Sequence, residues 1–167
     1  MSATRDDDAV HRILEQWRRE RPELDVRSMG PVGRLKRSAA LLQKRLDEVF
    51  ARFGLTSWEF DLLATLRRSG EPYCLAPTTL FSSLMLTSGT MTRQLQQLEA
   101  RGLIGRLPNP SDARSLLVQL SPQGLALIDQ AVSAHVANMD TILAPLSEQE
   151  FSELDRALVR LLAILES

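Results

Sequence analysis

A mainly α-helical fold with one small β-hairpin is what this sequence predicts. Apolar residues return at intervals of three and four over most of its length, the rhythm of helices with one buried face. Helix-start and helix-stop residues bracket those stretches. Only "LIGRLP" and "SLLVQL" depart from the rhythm, two short strand-like runs on either side of "NPSDAR".

Taken in order, Val10, Ile13, Leu14 and Trp17 stand at i, i+3, i+4 and i+7, so a short amphipathic helix is expected over about Asp7–Arg21. Pro22 and the "SMGP" of Ser28–Pro31 interrupt it. A longer helix follows over Arg34–Phe53, with Leu35, Ala39, Leu42, Leu46, Val49 and Phe53 in one stripe and Gly54 as its stop. "LTSWEFDLLATLRRSG" opens on a capping box, Thr56 with Glu59, turns Leu62, Leu63 and Leu66 inward and ends at Gly70. After the "EPYCLAP" loop, Pro77 suits a first helical position, and a short helix is expected through about Met85. "LTSG" breaks the pattern. Thr87 or Ser88 then caps a further helix, "SGTMTRQLQQLEARG", that stops at Gly102. The hairpin comes next. "SPQG" begins a long helix with Leu125, Ile128, Val132, Val136 and Met139 on one face, ending near Pro145. A second capping box, Ser147 with Glu150, starts a last helix carrying Phe151, Leu154, Leu158, Leu161, Leu162 and Leu165.

The 167 residues are 44% hydrophobic and 25% charged, ordinary values for a globular chain. No stretch approaches the ~20 apolar residues of a membrane span, and the acidic start "MSATRDDDAVHR" lacks the apolar core of a signal peptide, so a cytoplasmic protein is expected. Cys74 is the only cysteine, which excludes an intramolecular disulfide and a CxxC zinc site. His11 and His135 are the only histidines, and there is no HExxH, P-loop or GxSxG motif. Catalysis, a metal and a cofactor are therefore not expected. The net charge is only −1, but it is segregated: Pro31–Ser121 holds twelve Lys/Arg against seven Asp/Glu, and Pro122–Ser167 two against seven. The middle of the chain is the part suited to an anionic partner.

The order helix, short helix, sharp turn, helix, hairpin is that of a winged helix-turn-helix, whose second helix enters the DNA major groove. On that helix Met91, Leu95 and Leu98 form the apolar stripe, and Ser88, Thr90, Thr92, Arg93, Gln94, Gln96 and Gln97 the polar face. Such side chains read base edges: Arg pairs with guanine, Gln with adenine, and a Thr methyl meets the thymine methyl. The face alone would equally suit a Gln-rich solvated helix; the order of elements favours DNA.

"LTSGTMTRQLQQLEARGLIGRLPNPSDARSLLVQLSPQG" resembles the core of the MarR family of bacterial transcriptional regulators, whose wing loop carries Asp-x-Arg, here Asp112 and Arg114. The resemblance runs from about Leu55 to Ile128. It implies a homodimer held by N- and C-terminal helices, with two winged domains on a pseudopalindromic double-stranded DNA operator. The implied organisation is an extension helix over 1–30, a dimerisation helix over 31–53, the winged domain over 54–121 and dimerisation helices over 122–167. The implied DNA-facing residues are Ser88, Gly89, Thr90, Thr92, Arg93, Gln96 and Gln97, with Asp112, Arg114 and Ser115 in the wing. Asp112 is expected to brace the turn and Arg114 to reach phosphates or the minor groove. A nucleoid-associated protein of a bacterial cytoplasm, most often a repressor, is the expectation.

A narrower resemblance, to the PecS-like, urate-responsive subgroup, rests on "ILEQWRRERPELDV", "EFDLLATLRRSGEPY" and "APTTLFSSLMLTSG". The subgroup's pocket uses a Trp from an extra N-terminal helix, an Asp from the helix before the DNA-reading pair, an Arg on the recognition helix and an Arg just after it. Trp17, Asp61 and Arg106 match. The recognition-helix Arg falls on Gln94, and Arg93, about 100° away around the helix, does not replace it. A neutral amide suits an anion less well than a guanidinium, so a phenolic or other planar effector stands beside urate. Each residue also has a plainer reading: Trp17 as an apolar staple, Asp61 as a helix-start carboxylate, Arg106 as a phosphate contact. Three further readings stay open. Cys74 serves as a redox switch or is inert; His135 confers pH sensitivity or is a satisfied interface residue; and the chain is a helical adaptor that does not bind DNA.

Overall fold

The computed structural model describes residues 8–84, 91–110 and 112–167. Seven helices and three strands are present among them: α1 (Ala9–Glu20), α2 (Met29–Arg52), α3 (Ser57–Arg68), β1 (Cys74–Leu75), α4 (Pro77–Leu84), α5 (Met91–Ala100), β2 (Ile104–Asn109), β3 (Asp112–Leu120), α6 (Pro122–Leu143) and α7 (Glu148–Leu165). The chain divides inside α2 into two units, up to Leu46 and from Asp47.

In the N-terminal unit, Asp8 caps α1 by accepting from the His11 backbone N–H, and Val10 and Leu14 bury with Val26. Ile13 and Trp17, the rest of the expected stripe, remain 48% and 40% exposed. α2 starts at Met29 rather than at the expected Arg34. Pro31 does not break it, because in the first helical turn its missing N–H has no intrahelical acceptor to lose.

In the second unit α3 is the central rod. Leu62, Leu63 and Leu66 are fully buried, as are Leu80 of α4, Leu98 of α5, Val118 of β3 and Ile128 of α6, with Leu95 of α5 nearly so. Thr56 and Glu59 form the expected capping box. α2 and α5 stop on glycine at positive φ, Gly54 at 64° and Gly102 at 69°, and α3 likewise stops on Gly70 at 81°. After Gly54 and Gly102 the next backbone N–H closes back onto the helix, Leu55 to Phe50 and Leu103 to Leu98. Only a residue without Cβ takes this turn cheaply.

The sheet holds one strand more than the sequence predicts. β1 pairs with β3, which also pairs with β2, all antiparallel. β3 begins at Asp112, so two wing residues expected in the loop belong to the strand. The register shifts between Pro108 and Asn109, where the ladder absorbs the irregular tip.

Where the wing ends, Ser121 caps α6. Its hydroxyl accepts from the Gly124 N–H and donates to the Gly102 carbonyl, while its own N–H reaches the Leu103 carbonyl. A Cβ on Gly124 would fall 2.0 Å from that Leu103 oxygen, so the approach of α6 to β2 requires glycine. α7 opens on the second capping box, Ser147 with Glu150, and buries no residue. Among the described residues, no helix is long and apolar enough to cross a membrane.

Candidate DNA interface and effector site

The residues expected to face DNA fall on the α4–α5 pair and the β2–β3 wing. α5 buries Leu95 at 2% and Leu98 at 0% exposure, and that anchoring turns Thr92, Arg93, Gln96 and Gln97 to solvent while Gln94 stays half-buried. Ser88, Gly89 and Thr90 lie outside the described residues. Asp112 and Arg114 lie on β3, with their side chains outside the described part. Ser115 is half-buried and its hydroxyl accepts from Asn109 Nδ2 at 2.8 Å, a bond that ties the two wing strands together.

The residue that sequence reasoning missed is Arg101, directly after α5. It bridges to Glu59 of α3 and to the Gly54 carbonyl, which sets the angle at which α5 leaves the core. A basic residue at a helix C-terminus is a recognisable local signal; its partner, 42 positions earlier, is not.

The four effector candidates fall in different surroundings. Trp17 lies in the N-terminal unit, on α1. Asp61 is on the outer side of α3, and its carboxyl is raised above the usual range by partial burial, against the opposing pull of Arg68 and His135. The residue as a whole is solvent-exposed. Arg106, on β2, points its guanidinium at Glu99 of α5, 3.4 Å away, with only 22% of its side chain exposed. That pair joins the wing to the recognition helix. Gln94 sits on the same helix.

Next to Asp61, α3 and α6 run antiparallel, with Arg67 bonded to Asp129 at one end and the Phe60 ring 4.9 Å from the His135 ring nearer the other. Phe50 stacks on Phe60 at 4.1 Å and lies 5.3 Å from His135. Burial holds the imidazole below its ordinary value of 6.5, with the Asp61 carboxylate pulling it up less strongly. His135 Nδ1, Trp58 Nε1 and Asn138 Nδ2 are buried without a hydrogen-bond partner. Cys74 is half-buried on β1, and burial pushes its thiol up, away from the reactive thiolate. Among the described residues, no group of three or more His, Cys, Asp or Glu is arranged to hold a metal.

The arrangement is that of known regulators. The sequence profile of the MarR family matches residues 55–116. The HTH-type transcriptional regulator PecS of Dickeya dadantii (strain 3937) is 45% identical over 150 residues, 90% of each chain. The multiple antibiotic resistance protein MarR of Salmonella typhimurium is 36% identical over 101 residues, 60% of this chain and 68% of that one. Among solved structures, a mutant MarR from E. coli complexed with operator DNA superposes with a TM-score of 0.70 at 27% identity, over 83% of this chain and 99% of that one. With this fold, this helix pair and these relatives, the chain belongs to the MarR family and is a transcriptional regulator of the MarR/PecS type, not an enzyme.

Proposed function

We propose that the chain is an effector-released repressor that binds a pseudopalindromic operator as a homodimer. The observation that carries DNA reading is the outer face of α5. Thr92, Arg93, Gln96 and Gln97 are exposed on a helix whose opposite side is locked by Leu95 and Leu98 and whose end is fastened by Arg101. A rigid mount matters, because base-edge hydrogen bonds tolerate little misplacement. Wing residues Asp112, Arg114 and Ser115, and Ser88, Gly89 and Thr90 before α5, complete the surface in this reading.

The homodimer is supported by apolar surface that one chain leaves uncovered. Val159, Leu162, Ile164 and Leu165 of α7 are 55–72% exposed, and Val32 and Leu41 of α2 each 56%. Large apolar side chains left in water in such number are typical of an interface.

For the effector we infer a planar aromatic or phenolic molecule, urate-like in shape, held by Trp17, Asp61, Arg106 and Gln94. Support comes from the Asp61 carboxyl, raised above the usual range by partial burial, and from the half-buried Arg106 guanidinium. The raised Cys74 thiol disfavours a redox switch. The test is fluorescence anisotropy with a palindromic duplex from the region upstream of its own gene. Expected are tight binding, a steep loss of affinity with salt, release by a planar effector, and loss of that release in Trp17→Ala and Asp61→Ala. Binding that ignores salt and sequence would point to the adaptor reading instead.

A further inference from the structure

The wing leaves apolar side chains in water on the side that turns toward the recognition helix. Pro108 of β2 and Leu116 of β3 are Cα partners across the ladder, and both are exposed, Leu116 at 47%. Nearer the base of the hairpin, Arg106 and Val118 are partners in the same way. Side chains two positions apart on a strand share a face, so these four residues stand on one side of the wing. The inner half fixes which side it is. Val118 is fully buried, and Arg106 points its guanidinium at Glu99 of α5, 3.4 Å away. Pro108 and Leu116 therefore carry the surface that begins at α5 outward along the wing. Leu107 and Leu117, the partners between them, face the other way.

In this family the surface that α5 begins belongs to DNA. A duplex strand that runs between a helix in the major groove and a wing beside it presents its phosphates and sugars there. Proline has no N–H and a leucine side chain no donor, so neither serves a phosphate oxygen. The apolar part of the backbone is the deoxyribose ring, which is bare at C2′. RNA carries a hydroxyl at that carbon. Pressed against leucine, such a hydroxyl would lose water and gain no partner.

We propose that Pro108 and Leu116 pack against deoxyribose rings of the operator backbone and make the wing selective for a sugar without a 2′-hydroxyl. The inference rests on the DNA binding proposed above and adds to it a contact that selects the sugar and not the base.

Fluorescence anisotropy with the full-length protein tests it. The all-deoxy operator duplex is compared with duplexes that carry a single ribonucleotide, moved position by position through each half-site. The wild type is expected to bind the all-deoxy duplex and to lose about fivefold or more in affinity at a short run of adjacent positions. Leu116→Thr keeps a strand-forming side chain and offers a hydroxyl partner, so the loss is expected to shrink there to within about twofold. Leu116→Ala, which lets water reach the 2′-hydroxyl, is expected to give the same relief and serves as a second variant should the threonine fold poorly. Leu107→Thr, 41% exposed on the opposite face, is expected to keep the wild-type profile. A wild type indifferent to the ribonucleotide at every position, an undiminished loss in both Leu116 variants, or equal relief in Leu107→Thr overturns the inference and leaves DNA binding standing. Failure of the wild type to bind the all-deoxy duplex overturns both.

Discussion

Arg101 Nη1 donates to Glu59 Oε1 at 2.7 Å while its Nη2 donates to the Gly54 carbonyl at 2.8 Å. One guanidinium therefore holds the end of the recognition helix to both sides of the α2–α3 corner. Its acceptor is already engaged, since Glu59 Oε2 takes the Thr56 backbone N–H, and the Glu59 side chain is only 12% exposed. Arg101→Ala is expected to cost about 1 kcal/mol, discounted because the arginine is itself 39% exposed. Operator affinity falls several-fold with no contact to DNA removed. Arg101→Lys, which keeps charge but loses the fork, falls between. Urea denaturation and operator titration on the three proteins check both effects.

Gly124→Ala is the most damaging small substitution in the winged unit. Its Cβ would meet the Leu103 carbonyl oxygen at 2.0 Å, and that oxygen belongs to backbone, which cannot swing aside. A loss of about 3 kcal/mol or more is expected, read from the urea midpoint at fixed protein concentration. Gly105→Ala, where nothing lies within 4 Å, is the control and changes little.

The His135 imidazole is held below 6.5 by burial against Phe50 and Phe60. The unfolded chain therefore takes up this proton at a higher pH than the folded one. The site's contribution to stability is complete above about 6.5 and is lost as pH falls from there toward the folded value. Asp61 acts oppositely and at more acid pH, because its raised carboxyl favours the fold below 3.8 and ceases to as pH rises through its folded value. Stability should decline as pH falls below about 6.5, and His135→Phe should flatten that slope in chemical denaturation.

α7 carries a continuous apolar face that one chain leaves in water, with Leu158 40% and Leu162 55% exposed. Leu158→Asp with Leu162→Asp places two charges there without touching the winged core. Light scattering is expected to show the wild type at twice the monomer mass and the variant at the monomer mass. Loss of operator binding accompanies the change.

Arg93 and Arg114 should separate by role. Arg93→Ala, on the reading face, is expected to cost about 1–3 kcal/mol and relax base preference at one position of each half-site. Arg114→Ala weakens all duplexes alike and lowers the salt slope by about one charge. Affinity measured on an operator and its single-base variants at several salt concentrations distinguishes them.

Most of the helical frame was legible because its signals are local. The Thr56–Glu59 and Ser147–Glu150 boxes, the stops at Gly54 and Gly102 and the Leu95/Leu98 stripe each act within a few residues. β1 was not legible: two residues, Cys74 and Leu75, become strand only because Gln119 and Val118 of β3 arrive beside them. The start of α2 was placed too late because Pro31 was read as a break, although it occupies a turn where proline is tolerated. At the candidate sites, residue types were readable and partners were not. Nothing near Arg106 in sequence marks Glu99 above other acids as its counter-ion, and nothing near Arg101 marks Glu59.

Ser121 gives the molecule a joint with no slack. Its hydroxyl grips Gly102, where the turn after α5 ends, while the same oxygen receives the first turn of α6, and its amide takes Leu103. A tilt of α6 therefore reaches the base of the DNA-reading helix through a single residue, with no flexible linker in between to absorb it.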